Sequence, residues 1–578
     1  MLSDKLKIKL NCPDLFLKFF IGVSILWFIC CIGLLIPSLR NPLIQFGEYI
    51  IHRPLRDPPN WHNVLSSFSI QGITLYLIFS IVFFYNNSLS QFISGKKLLI
   101  FLIVIAVLYC YFIMFRANWT FGDEHMFIYL TAANKYIPFS RTIFSGRFFP
   151  LGCIHYNLPL FVYRCLGINT GLPVEVHFMV NVVFFIITFL FLYLLINKIK
   201  PFENNEYCVF NLFFISTLFL LGRQLTTVFL NLVFPEVSII MLFSIFMLMY
   251  YKALETDRIK YYVAALLTVI YSSYCKEPVF GVFLVIALFN FIFKYNKLAK
   301  QEKIFYMALV ANAVIFLVLY YYLSYRNTTD FYGTGIMKPE LFGYLYTVVS
   351  QEPIIVVIFP FCLVRLYFII LKKDREHLYY DSLLFAGTAY ICAHFLLKFS
   401  SGYYFSPAVF LFIPSLVYWI KYLYNNRIVF SLCLLFILLP IYAFNWTGTK
   451  ASVKSIYKSR QEFMPYVSDL LSLYNDDIKF IWYESDNSVL DYTHWITVRS
   501  WRKSIENIFL NYLNKTERYE FFITKKSIDD IDMTQKILFF YPEDNDQYQP
   551  ISDKIVKALK DNGFEIYEDS YGILIYRN

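Results

Sequence analysis

The stretch LLIFLIVIAVLYCYFIMFRANWTFGDEHMFIYL, residues 98–130, sets the terms for the whole chain. Its first half, through Phe115, is an unbroken apolar run without a charge. A bilayer-crossing helix needs ~20 such residues. Its second half opens on Arg116 and places two acids side by side, Asp123 and Glu124, with His125 next to them. The first half reads as a helix in lipid. The second reads as its exit into water.

The same alternation runs through most of the sequence. Of 578 residues, 58% are hydrophobic and 16% charged, against roughly 25% charged in soluble domains. Apolar runs lie at 15–37, 66–85, 97–115, 174–197, 207–222, 237–251, 261–275, 279–293, 304–323, 353–371, 381–397, 405–420 and 428–444. They predict a mainly α, polytopic transmembrane bundle of about 13 helices. The first run is longer than a signal-peptide core and lacks a small-residue cleavage site, so it is expected to stay as a helix.

The charges orient the bundle. Residues 1–444 carry 34 Lys and Arg against 20 Asp and Glu, and residues 445–578 carry 17 against 21, so the net charge of +10 belongs to the apolar part. With the N-terminus inside, every predicted inside loop is short and basic. Examples are Lys96-Lys97, Lys252 with Arg258 and Lys260, Lys294 to Lys303, and Lys372-Lys373 with Arg375. This is the positive-inside bias and no sign of nucleic-acid binding. An odd helix count then puts the C-terminus outside.

Three regions follow: a two-helix N-terminal addition at 1–96, a transmembrane core at 97–444 with the outer loop 116–173, and an extracytoplasmic α/β domain at 445–578. IKFIWYE and KILFFYP in that domain are strand-like, SDKIVKALKDNG has helical spacing ending at Gly563, and FEIYEDSYGILIYRN reads as a closing hairpin. The eleven cysteines show no metal spacing. Cys153 and Cys165 are expected as buried free thiols rather than a disulfide.

Long outer loops carry chemistry more often than inner turns. Asp123 and Glu124 are embedded among Trp119, Phe121, Phe127 and Tyr129, and Arg141, Arg147 and His155 follow in the same loop. A solvated loop acid is the ordinary reading. Sugar transfer from a phosphate-linked lipid is the other. It needs a base for the acceptor proton and cations or a metal for the departing phosphate.

TFGDEHMFIYLTAANKYIP (120–138) resembles the first outer loop of the GT-C glycosyltransferases, where an acid motif follows a transmembrane helix. YSSYCKEPVFGVFLVIALF (271–289) is similar to that superfamily's segment with a charged turn and a Pro between two helices. LLKFSSGYYFSPAVFLFIPSL (396–416) is similar to its late Arg-Tyr-x-x-x-Pro segment, with Tyr403, Tyr404 and Pro407 in place and Lys398 standing for the Arg. GRFFPL (146–151) is similar to serotype-converting glucosyltransferases of the same broad architecture. The C-terminal domain fits several members, including the aminoarabinose transferases. The resemblance covers residues 97–420. It implies a polyprenyl-phosphate-linked sugar donor, a lipid, glycan or protein acceptor, and work on the extracytoplasmic face of a bacterial inner or plasma membrane. It implies Asp123 as catalytic acid/base and Glu124 as its assistant.

The remaining candidates come from the residues. Lys276 and Glu277 fall at the outer turn of a helical hairpin, where a lysine can grip a lipid phosphate or simply snorkel. His394 and Lys398 share a helix face close to Tyr403. Arg223 and Glu236 bracket another outer loop, and Glu236 at a helix start also complements the helix dipole. Arg147 suits bidentate phosphate binding. His125 and His155 beside the acids are weak metal candidates, Glu124 with His125 first among them, so a divalent cofactor is the weaker expectation. Arg365, inside a helix, is expected to snorkel.

Three rival functions stand beside the glycosyltransferase. An O-antigen-type polymerase is marked by outer-loop arginines. A transporter or flippase shows mid-membrane charges and repeated halves, which this sequence lacks. A scaffold needs far fewer helices.

Overall fold

The structure is a computed structural model. It describes residues 13–51, 58–92, 96–112, 143–167, 174–199, 222–328, 352–397, 402–424 and 439–458, with short gaps, together with four strands near the C-terminus and a few isolated positions. Asp123, Glu124, His125, Arg141, Lys398 and the run 207–222 up to residue 221 lie outside the described residues.

Helix α1 (Pro13–Leu35) ends where the sequence places a stop, and the chain then turns by 87° into α2 (Pro37–Ile51). Pro37 has no N–H to continue the ladder. Ile36 instead donates to Gly33 at 3.1 Å in a tighter turn. Helix α3 (Pro58–Phe92) returns along α1. Gly72 makes the approach close: a Cβ there would lie 3.0 Å from Trp27, whose indole N–H donates to the Gly72 carbonyl at 3.2 Å. α4 (Lys96–Phe112) follows. The two-helix addition of the sequence reading thus has a third helix, set crosswise.

Next come a hairpin of β1 (Ile143–Phe144) and β2 (Arg147–Phe148), then α5 (Gly152–Cys165), α6 (Val174–Ile199) and the short α7 (Arg223–Leu230). The core helices are α8 (Glu236–Thr256), α9 (Ile259–Ser273), α10 (Val279–Lys294), α11 (Lys300–Leu323), α12 (Ile355–Leu371), α13 (Leu378–Leu397), α14 (Ser406–Tyr424) and α15 (Leu439–Lys458). Among the described residues, five helices are long and apolar enough to cross a membrane, or six if α1 and α2 form one bent span. Three of the runs form shorter apolar helices among the described residues: Asn63–Ile78 within α3, α9 and α12. α15 continues the last apolar run through residue 445 to Lys458.

α8 is the central helix. It packs on α6, α9 and α14 and buries Phe243, Phe246, Met247 and Tyr250 completely. Between helices in lipid, packing and polar contacts replace the hydrophobic effect as the cohesive force. Gly387 shows the packing part: a Cβ there would meet Phe412 of α14 at 2.7 Å. α15 closes the bundle against α3 and α7, and Thr447 of α15 hydrogen-bonds Gln71 of α3.

The two ends of the bundle differ chemically. One carries the turns with Arg258, Lys297, Lys372, Lys373 and Arg375. Just inside it, Tyr250 and Tyr306 share a hydrogen bond of 2.7 Å, and Tyr306 donates to Glu302, which also holds Lys294 at 2.9 Å. Arg365 does not snorkel. It is 4% exposed, donates to both oxygens of Asp381 at 2.9 Å, and lies 3.6 Å from the centre of the Trp419 ring. An acid supplied by α13 makes burial cheaper than reaching for water. The opposite end carries the 274–278 turn and the candidate site.

Near the C-terminus, β3 (Lys479–Trp482), β4 (Ile537–Pro542), β5 (Glu565–Asp569) and β6 (Gly572–Tyr576) form one sheet in the order β3-β4-β6-β5. β3 and β4 are parallel, and β5 and β6 form the hairpin read from the sequence. Gly563 takes a φ of 80°, a conformation that suits glycine. Cys153 and Cys165 are free thiols as expected, but Cys165 is exposed and Cys153 half-buried rather than both being buried.

Candidate functional site

The site is built on the turn between α9 and α10. Ser272 is followed by Ser273, Tyr274, Cys275, Lys276, Glu277 and Pro278, and Pro278 caps α10. The short connection leaves two opposite charges adjacent in sequence with nowhere to pair locally. Each is paired across the fold instead.

Glu277 is held by the β1–β2 hairpin. Arg147 Nε donates to one carboxylate oxygen at 2.7 Å and a terminal nitrogen donates to the other at 3.3 Å. The backbone N–H of Phe148 adds a third bond at 3.0 Å. The hairpin can do this because Gly146 turns it at a φ of 77°, and because Ser324 and Thr328, just after α11, tie it down. Ser324 Oγ donates to the Arg147 carbonyl at 2.9 Å, and Gly146 N–H donates to Thr328 Oγ1 at 3.0 Å. Burial raises the Glu277 carboxyl, but the Arg147 guanidinium and the three donated bonds outweigh it and hold it below the usual carboxylate range.

Lys276 turns the other way. It is 6% exposed and pairs with Glu236, which is completely buried at the start of α8. Its ammonium stands 4.0 Å from the centre of the Tyr404 ring and 5.4 Å from that of Tyr403. Both are cation–π distances. The tyrosines belong to a row of rings. Phe234 stacks on Tyr403 at 4.4 Å, Tyr403 meets Tyr404 at 4.3 Å, and Tyr404 stacks on His394 of α13 at 5.2 Å.

His155 is no loop residue. It is buried on α5, and its Nδ1 shares a 3.0 Å hydrogen bond with Ser238, two residues along α8 from Glu236. Arg223 opens α7. Its side chain occupies the space a Cβ at Gly448 of α15 would need, and the next residue, Gln224, packs against Gly402 in the same way. Burial lowers the Arg223 guanidinium from its ordinary value, with the nearby Glu352 opposing the shift. Burial raises the Glu352 carboxyl to about 8, and Arg223 restrains the rise.

Seven candidates scattered between positions 147 and 403 thus meet at one end of the bundle: Arg147, His155, Glu236, Lys276, Glu277, His394 and Tyr403. Arg223 adjoins them through Gln224 and Gly402. Tyr404, Phe234, Ser238 and Glu352 join the site beyond the candidate set. Glu352 had a sequence signal. It stands next to a proline at the start of an apolar run, as Glu236 does in FPEV. Among the described residues no group of three or more His, Cys, Asp and Glu side chains is placed to hold a metal. The Glu124–His125 metal expectation falls outside them.

No protein-family model matches the sequence, and a search of curated proteins gives no match. Among solved structures, the chain is similar to ArnT from Cupriavidus metallidurans bound to undecaprenyl phosphate, at 10% identity and a TM-score of 0.46, covering 84% of this chain and 98% of that one. The apo state of the same protein gives 11% identity and the same score, over 83% and 98%. The archaeal oligosaccharyltransferase AglB from Archaeoglobus fulgidus, in complex with an inhibitory peptide and a dolichol-phosphate, gives 14% identity and a TM-score of 0.24, over 72% of this chain and 55% of that one.

Proposed function

We propose that this integral membrane protein transfers a sugar from a polyprenyl-phosphate-linked donor to a lipid, glycan or protein acceptor on the extracytoplasmic face. The observation that supports the reading most is the Lys276 site. A lysine is placed at the mouth of an apolar helix bundle, fixed by a buried carboxylate and two aromatic faces. A lipid phosphate arriving along the bundle presents one anionic group at the depth where Lys276 sits. Arg147, paired with the neighbouring Glu277, supplies a second positive charge beside the site. The row from Phe234 to His394 offers flat apolar faces of the kind sugar rings stack on.

In this mechanism the cations stabilise charge on the departing phosphate. Asp123 takes the proton of the acceptor. Glu124 assists it. The basic turns at the other end, read by the positive-inside bias, support this sidedness. A scaffold needs no such cluster, and a transporter places its charges at mid-membrane.

The test is transfer activity of Asp123→Asn in purified, folded protein with a polyprenyl-phosphate-sugar donor. Loss of transfer with donor binding retained is expected. Full activity in that variant removes Asp123 as the base.

A further inference from the structure

Lys276 already has an anion. The phosphate of the proposed donor must therefore displace Glu236 or share the lysine with it. Glu236 is completely buried, and its second carboxylate oxygen has no hydrogen-bond partner among the described residues. Once Lys276 turns to a phosphate, the Glu236 carboxylate is left as a buried charge next to a new anion. A buried carboxylate without a paired cation is strongly disfavoured.

Glu277 does not share this fate. It keeps two Arg147 bonds and the Phe148 N–H whatever happens at Lys276. Among the described residues, the other titratable or charged groups at this end of the bundle are Arg147 at the hairpin, Glu277 on the α9–α10 turn, His155 on α5, Arg223 on α7, His394 on α13, Glu352 before α12, and the two tyrosines beyond the lysine. His155 is bonded to Ser238 and His394 is packed between Tyr390 and Tyr404. None of them contacts Lys276 as directly as Glu236 does.

We infer that phosphate binding at Lys276 is coupled to uptake of one proton by Glu236. The Lys276–Glu236 hydrogen bond breaks, one forms from Lys276 to a phosphate oxygen, and a proton from bulk water adds to a Glu236 carboxylate oxygen. The lysine keeps its own protons. Glu236 is thus a stand-in for the phosphate in the empty site and a neutral neighbour in the filled one. This rests on the reading of Lys276 as the phosphate grip.

The probe is didodecyl phosphate, a diester whose single charge is fixed across the neutral range. Titration calorimetry of the detergent-solubilised full chain, in two buffers of different ionisation enthalpy at about pH 7, counts the protons taken up. About one per ligand is expected in the native protein and none in Glu236→Gln. Native affinity is expected to fall by up to ~tenfold per pH unit, and that of Glu236→Gln to be higher and flat with pH. His394→Gln is expected to keep the native count. If Glu236→Gln fails to fold, the native count alone decides. A native count near zero, a count unchanged in Glu236→Gln, a count lost in His394→Gln, or binding that requires a divalent metal each overturns the inference while leaving the phosphate site standing. No binding to the native protein, or binding unchanged in Lys276→Ala, overturns the site itself and the inference with it.

Discussion

Arg147 and Glu277 form a planar, two-point pair, with N···O distances of 2.7 and 3.3 Å, that joins the β-hairpin to the α9–α10 turn. The pair closes a gap of 130 residues, and about a fifth of each side chain remains exposed. Removing Arg147 leaves Glu277 largely buried with one backbone donor.

Arg147→Ala is therefore expected to destabilise the protein by ~2–3 kcal/mol. This is less than the ~3–5 kcal/mol for a broken pair in a dry interior, because solvent screens part of the charge. Glu277 is held below the usual carboxylate range. Its contribution is present above the unfolded carboxylate value and lost as pH falls through the lower folded value. Melting curves in detergent should show native Tm dropping at acid pH, and a smaller drop in Glu277→Gln. Equal acid sensitivity in both would detach the pair from stability.

Lys276 and Glu236 make a sharper case, since neither side chain is more than 7% exposed. Lys276→Met leaves a buried, uncompensated carboxylate and is expected to cost ~3–5 kcal/mol. Adding Glu236→Gln removes that charge and is expected to restore at least half of the loss. Both variants are expected to raise donor KM at least tenfold, because stability returns with the second change and the phosphate grip does not. A double variant with native KM would make the pair purely structural.

Much of this architecture was legible in the sequence. The apolar runs gave α1, α4, α6 and α8 to α14 within about five residues, and α3 with both ends short by seven or eight, because a helix in lipid must satisfy its backbone internally and advertises itself by composition. Charge pairing was not legible. Lys276 and Glu277 were visible as an ionisable pair at a turn, but each pairs with a residue 40 or 130 positions away. Arg365 was misread for the same reason: its partner Asp381 lies on the next helix, and only packing brings the two within 2.9 Å. The bend after α1 was not legible: the apolar run 15–37 carries straight through Pro37, and the short, mixed composition of α2 hides a helix.

Glu352 supplies a prediction in the opposite direction to Glu277. It is 2% exposed in the loop before α12, and burial raises it to about 8 from an ordinary 4.5. Between those values the folded protein holds a proton that the unfolded chain has lost. Stability therefore falls as pH rises through that window, by at most ~1.4 kcal/mol per pH unit. Glu352→Gln, which cannot ionise, is expected to flatten the decline of Tm between about pH 5 and 8. An equally steep decline in the variant would show that Glu352 is not the group responsible.

Arg365 tests whether the two ends of the bundle are independent. It is as buried as Lys276 and better bonded, with two contacts to Asp381 at 2.9 Å and one to Asp374 at 3.0 Å. It sits at the Lys294 end, a bundle length from the α9–α10 turn. Arg365→Met removes the cation and strands Asp381, which is completely buried on α13. The expected loss is again ~3–5 kcal/mol, comparable to that of Lys276→Met. Distant sites without shared partners add in their effects. Donor KM in the folded fraction of Arg365→Met should thus stay within about twofold of native, although α13 also carries His394 into the site. A tenfold rise in KM would mean that α13 transmits strain from one end to the other, and that the site depends on the whole helix rather than on its last turn.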